Sequence, residues 1–236
     1  MTPQPPPKDG KWRFFWRIGE TDAKDELLLA PQVYPKGFPE WETKMNSWGN
    51  VLNGACYTVS EMIALGMDLP RATFTDKMKG AVQLLAPTGS DLTKYKKKDD
   101  ILAGFHYDLN FLTIHGKSNY PGLFVWLRNG EKVPVRIPDG CLLLQSSKML
   151  EYMTGGYFYA GYHEVIVSED TLKFAEKAKQ DGKSLWRVSS TLFSALNYKT
   201  VLEPLPEFKN QPEAKNYTPI SCYKFVEEEL KAISLL

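Results

Sequence analysis

Apolar residues fall into two textures along the chain. Between residues 40 and 65, Trp41, Met45, Trp48, Leu52, Ala55, Val59 and Met62 recur at steps of four and three. That spacing predicts one amphipathic helix, its apolar stripe facing a core, with Gly66 as its stop. Residues 12–18 (WRFFWRI) are dense in aromatics and read as a strand or buried segment. From about residue 101 the pattern shortens. Segments 101–105, 108–114, 122–128, 131–137, 140–145, 157–167 and 185–193 are rich in Val, Ile, Leu and aromatics, and Gly, Pro or Asn-Gly breaks separate most of them. Such short runs predict strands of a sandwich or barrel. Asn129-Gly130 fits a tight hairpin turn.

A helix interrupts the strands near 169–182. Ser168 can cap it, Leu172, Ala175 and Ala178 share one side, and Asp181-Gly182 ends it. A last amphipathic helix, with Val226, Leu230 and Ile233 on one side, is expected to cover the sheet. The division that follows is a flexible Pro-rich tail at 1–10, a helical and partly stranded region at 11–100 packing on the barrel, the barrel core at 101–205, and a tail with helix at 206–236. These act as one interdependent domain.

Composition narrows the function classes. The 236 residues carry 29 basic and 28 acidic side chains. A net charge of +1 offers no broad field for nucleic acid or an acidic membrane. No apolar run reaches the length of a membrane span, and the front lacks the apolar segment of a signal peptide. Three widely spaced cysteines, Cys56, Cys141 and Cys222, suit reduced thiols in a cytoplasmic setting. Cys141 and Cys222 read as core fillers. Lys94-Tyr95-Lys96-Lys97-Lys98, followed by two aspartates, reads as a solvated loop.

Chemistry concentrates in the strand region. The three histidines are His106, His115 and His163. His106-Tyr107-Asp108 opens a strand run, so the imidazole and the carboxylate would share a face. A second imidazole from a later strand would complete a two-His, one-carboxylate set with open positions, the ligand set of non-haem Fe(II) oxygenases. His163, 57 residues on, is the candidate. His115 falls before a loop, and its offset of seven from Asp108 assigns it to the opposite strand face. Arg187-Val188-Ser189 puts a guanidinium fork and a hydroxyl on one strand face, a receptor for a small carboxylate. Read singly, each motif is matched by an ordinary solvated or core side chain.

Together the motifs carry a resemblance. His-x-Asp, a later His, then Arg-x-Ser on the last long strand, with AGFHYDLNFLTIH at 103–115, the Pro-Gly-Leu and Asn-Gly landmarks in 120–145, MLEYMTGGYFYAGYH at 149–163 and LWRVSSTLF at 185–193, is similar to the isopenicillin N synthase-like branch of the 2-oxoglutarate/Fe(II)-dependent dioxygenases. The resemblance implies a mainly β fold with flanking helices, a double-stranded β-helix or distorted jelly roll. It implies Fe(II) on His106, Asp108 and His163, and 2-oxoglutarate on Arg187 and Ser189. The reaction implied is O2-dependent oxidation of a small organic substrate, with release of succinate and CO2. Tyr107, Asn110, Trp126 and Tyr159 are candidates for the substrate pocket, with Phe111 beside them.

Three departures accompany it. The interval from His163 to Arg187 is longer than the family's, through the insert near 169–182. The stretch Leu84-Leu85-Ala86-Pro87-Thr88-Gly89-Ser90 has no tyrosine where many relatives place one against the cofactor. Relatives also carry a longer front, and its lack would expose a sheet edge. Two further readings stay open: a truncated or degenerate non-catalytic member, and an Fe(II) oxidase that does not use 2-oxoglutarate. An unrelated β-domain would require His106 and His163 to lie apart.

Overall fold

A computed structural model describes residues 8–24 and 29–232. The strands are β1 (Trp12–Arg13), β2 (Trp16–Ile18), β3 (Gln83–Asp91), β4 (Ile101–His106), β5 (Leu112–His115), β6 (Leu123–Trp126), β7 (Lys132–Pro134), β8 (Leu143–Ser146), β9 (His163–Ile166), β10 (Trp186–Ser194), β11 (Val201–Leu202) and β12 (Ile220–Ser221). The α-helices are α1 (Trp41–Gly66), α2 (Thr75–Met78), α3 (Lys148–Met153), α4 (Glu169–Gln180) and α5 (Cys222–Ala232). None of them is long and apolar enough to cross a membrane.

Two antiparallel sheets form the mainly β body, as expected for a jelly roll with helices outside. The larger has the order β1-β3-β10-β5-β8, with β2 also on β3; the smaller is β4-β9-β6-β7. Side chains alternate along β10. Arg187, Ser189 and Thr191 line a cavity, while Leu192 joins the core under α1. That core contains Trp16, Ile18, Leu52, Cys56, Leu85 and Ile114. Gly49 lets α1 come close, since a Cβ there would stand 2.2 Å from Ile18 Cδ1.

The predicted helix at 40–65 corresponds to α1, but its buried stripe is offset. Met45, Gly49, Leu52, Cys56, Ser60 and Ala64 are buried, whereas Trp48 and Met62 are exposed. Trp48 gains a polar role on the sheet side, donating to Ser190 Oγ at 2.7 Å. The left-handed residue after the helix is Asp68, not Gly66. α4 is capped as expected: Ser168 Oγ accepts from Thr171 N at 3.1 Å, and Thr171 Oγ1 accepts from Ser168 N. At the hairpin, Gly130 is left-handed and its N–H donates to Leu127 O.

The front corrects two expectations. Residues 12–18 pair along β3, so β3 is not an edge and the sheet ends instead at the short β1 and β2. Residues 1–7 of the expected tail lie outside the described residues. Residues 9 and 10 are docked rather than loose: Asp9 accepts from Gly104 N at 2.9 Å, and Gly10 N donates to Ile101 O. β3 itself, from the region read as mostly helical, sits in the middle of the larger sheet against β10. Of the two cysteines expected to fill a core, Cys222 is buried and does so, and Cys141 is exposed. The residues Lys94, Lys96, Lys97 and Lys98 are exposed, as a solvated loop requires. α5 turns Cys222 and Phe225 inward; Ile233 lies outside the described residues.

Candidate metal centre and cavity

His106 and His163 are direct partners across the β4–β9 pair, so both imidazoles leave the same face side by side. Their ring centroids are 4.2 Å apart. Asp108 follows β4 in an irregular segment, not in a strand, and the chain bends just after it, at residues 109–111. Asp108 Oδ1 stands 3.7 Å from His106 Nε2 and 3.9 Å from His163 Nε2. All three donor atoms lie within 4.8 Å of one another. These separations are too long for hydrogen bonds and short enough for one ion to bind all three.

Neighbouring groups orient each donor. His106 Nδ1 donates to Gly104 O at 2.6 Å, and His163 Nδ1 lies 3.1 Å from Gly161 O and 2.7 Å from Gln145 Nε2. With Nδ1 carrying the proton, the Nε2 lone pair of His106 faces Asp108, and His163 turns its own Nε2 toward the same carboxylate. Thr113 Oγ1 donates to Asp108 Oδ2 at 2.7 Å. Burial, reinforced by His163, pushes His106 down to about 4. Burial also lowers His163, against the opposing charge of Asp108. Both imidazoles are therefore neutral at pH 7, as metal ligation requires. A buried carboxylate among neutral imidazoles fits a divalent cation.

A cavity of about 490 Å3 opens from this cluster between the sheets. Arg187 lies at its wall, 7% exposed. Burial pushes its guanidinium down to about 10, so it remains a cation at neutral pH. Its Nε donates to Pro121 O at 3.2 Å, and no carboxylate pairs with it among the described residues. Across the sheet, Ser90 is its register partner, and Thr88 is that of Ser189. These hydroxyls stand where the absent tyrosine was noted. A cation with hydroxyl neighbours at this place could hold a carboxylate.

The pocket candidates lie elsewhere. Tyr107 donates to Glu229 on α5 at 3.3 Å. Asn110 is buried, its amide bonding Thr113 Oγ1 at 3.2 Å and Ser194 O at 3.3 Å. Trp126 packs edge-on to Phe105, and Tyr159 lies under Arg128 while bonding Glu213. Phe111 is core. The apolar wall is formed instead by Leu102, Leu123, Val135, Ile137 and Phe174. His115, assigned to the far face, lines the cavity, its ring 5.7 Å from that of His163. The turn between Asp108 and β5 breaks the alternation on which that assignment rested. Gln145 lies between the two rings, 3.2 Å from His115 Nε2 and 2.7 Å from His163 Nδ1. Arg13, on β1, also lines the cavity. A lone Arg in an aromatic run gave no signal of this; β1–β3 pairing sets it.

The sequence profile of the 2OG-Fe(II) oxygenase superfamily matches residues 90–195. Among curated proteins no sequence matches. Several solved structures share the fold. One is a putative 2OG-Fe(II) oxygenase family protein from Caulobacter crescentus, at 22% identity and a TM-score of 0.80, over 94% of this chain and 70% of that one. Another is a full-length Neurospora crassa protein solved in complex with alpha-KG and thymine, at 17% identity and a TM-score of 0.79, over 95% and 66%. A third is the dioxygenase for auxin oxidation in rice, at 16% identity and a TM-score of 0.71, over 96% and 70%. The chain spans about two thirds of the length of each.

Proposed function

We propose that this chain, whose residues 90–195 match the profile of the 2OG-Fe(II) oxygenase superfamily, is a non-haem Fe(II)/2-oxoglutarate-dependent oxygenase acting on a small organic substrate. The observation that carries the reading is one cavity with two unlike receptors. Three metal donors converge within 4.8 Å, His106 and His163 among them standing on one wall, and a buried guanidinium that has no carboxylate partner among the described residues stands on another.

In this reading His106, Asp108 and His163 hold the iron. Arg187 takes the distal carboxylate of 2-oxoglutarate, with Ser189 beside it. Iron and 2-oxoglutarate together supply the O2-dependent decarboxylation to succinate and CO2 that is coupled to oxidation of a C–H bond. The chain's own part is positional. The Gly104 carbonyl keeps the proton on Nδ1 of His106, and Gly161 and Gln145 hold the ring of His163. Thr113 fixes the carboxylate. The aliphatic wall excludes water around the reacting carbon.

An anaerobic Fe(II) titration with and without 2-oxoglutarate tests this, with His163→Ala as control. The expected result is a weak visible charge-transfer band that needs both additions and is lost in the variant. Iron binding without the band would instead favour an oxidase that does not use 2-oxoglutarate. A folded sample that binds no iron would favour a non-catalytic family member.

A further inference from the structure

We infer that the cavity holds a second anion receptor, centred on Arg13, and that the substrate is an organic acid whose carboxylate docks there. The inference rests on the oxygenase reading above and adds the substrate's chemical class.

Arg13 reaches the cavity from β1. Its register partner is Thr88, which is itself paired with Ser189. The side chain is held in place: Nε donates to Thr88 Oγ1 at 3.3 Å, and the guanidinium carbon lies 5.2 Å from the Phe193 ring centroid and 5.9 Å from that of Phe15. The one hydrogen bond among these contacts uses Nε. Among the described residues no acceptor meets the two terminal nitrogens, the edge that binds a carboxylate bidentately.

The acids nearby are committed. Asp108 belongs to the metal cluster. Asp9 pairs with Lys11 and accepts from Gly104 N. Asp170 pairs with Arg136 at 3.2 Å. A dicarboxylate bound between Arg187 and the metal would satisfy Arg187 and leave Arg13 open. An anion on Arg13 would sit within electrostatic reach of the metal ligands, since Arg13 acts on Asp108 and His163. The carbons next to its carboxylate would then face the metal, and an apolar body would lie along Leu102, Leu123, Val135 and Phe174. A volume of about 490 Å3 is in the range that encloses small organic ligands.

Calorimetric titration of anaerobic protein loaded with Fe(II) and 2-oxoglutarate is the test. The probes are acids matched to neutral amides of the same shape: phenylacetate with phenylacetamide, and octanoate with octanamide. At least one acid is expected to bind about tenfold or more tightly than its amide. Arg13→Gln should remove that preference, and Arg13→Lys should keep only part of it, because the charge remains without the fork. If Arg13→Gln fails to fold by circular dichroism, Arg13→Lys carries the comparison. The inference is overturned if neither acid outbinds its amide, absence of all binding included, or if the preference survives in the variants. It is also overturned if Arg13→Gln weakens 2-oxoglutarate as much as Arg187→Gln does, which would make Arg13 a cofactor anchor. Failure of the oxygenase reading is seen separately, as absence of the Fe(II)/2-oxoglutarate band in the unaltered protein.

Discussion

A guanidinium with little access to water costs stability unless an anion meets it. Among the described residues Arg187 has only the Pro121 carbonyl, on Nε. Its ionised form is therefore kept at a cost that a bound carboxylate would offset. Arg187→Met should raise the stability of the unliganded protein by about 1 kcal/mol or more, since hydrophobic replacement of buried charge is often stabilising. It should also abolish the rise in melting temperature on adding 2-oxoglutarate to the iron-loaded protein. Thermal unfolding with and without the keto acid checks both. A less stable unliganded variant would mean that Arg187 serves the fold first. The cysteines divide in a similar way. Burial pushes the Cys56 and Cys222 thiols up to about 12, and Cys141 is exposed. The thiolate is the reactive form. Thiol labelling at pH 8 should therefore modify one cysteine in the native protein and three after denaturation.

Among the connections, the one between β5 and β6 does most to set Arg187. Pro121 O accepts from Arg187 Nε and from Thr171 Oγ1, so the turn joins β10 to the start of α4. Gly122 follows with φ of +127°, and a Cβ there would stand 2.5 Å from Ile166 O. Gly122→Ala should cost about 1–3 kcal/mol from backbone strain alone. It should also raise the 2-oxoglutarate concentration needed for the charge-transfer band, because Pro121 moves with it. A normal melting temperature and band would refute this. Elements with a local signal were legible beforehand: α1, α4 with its cap, the Asn129-Gly130 hairpin and the strands after residue 101. β3 was not, because Pro87, Gly89 and Ser90 weaken its strand signal; pairing with β10 makes it a strand. Convergence of His106, Asp108 and His163 was legible from motif and spacing, although the end of the strand before Asp108 was not. Trp126 was misplaced because a strand's pattern does not say which face is the inner one, and Tyr107 and Tyr159 because they lie outside strands, where no alternation sets the direction. Arg13 and His115 depend on long-range pairing and on a turn, which no local pattern carries.

The two sheets contribute different receptors to one cavity. His106 and His163 stand on β4 and β9 of the smaller sheet, and Arg187 and Ser189 stand on β10 of the larger. A metal held by the first set braces mainly the smaller sheet. A keto acid that chelates this metal and reaches Arg187 ties the two sheets together, so its stabilisation requires the metal. Hydrogen exchange should read this order. Fe(II) alone should slow exchange in β4 and β9. Fe(II) with 2-oxoglutarate should extend protection to β10 and β3, and 2-oxoglutarate alone should do little. In Arg187→Met the second step should fail while the first remains, because the smaller sheet keeps its donors. Protection of β10 by Fe(II) alone would contradict the division, since it would mean that the metal site already spans both sheets.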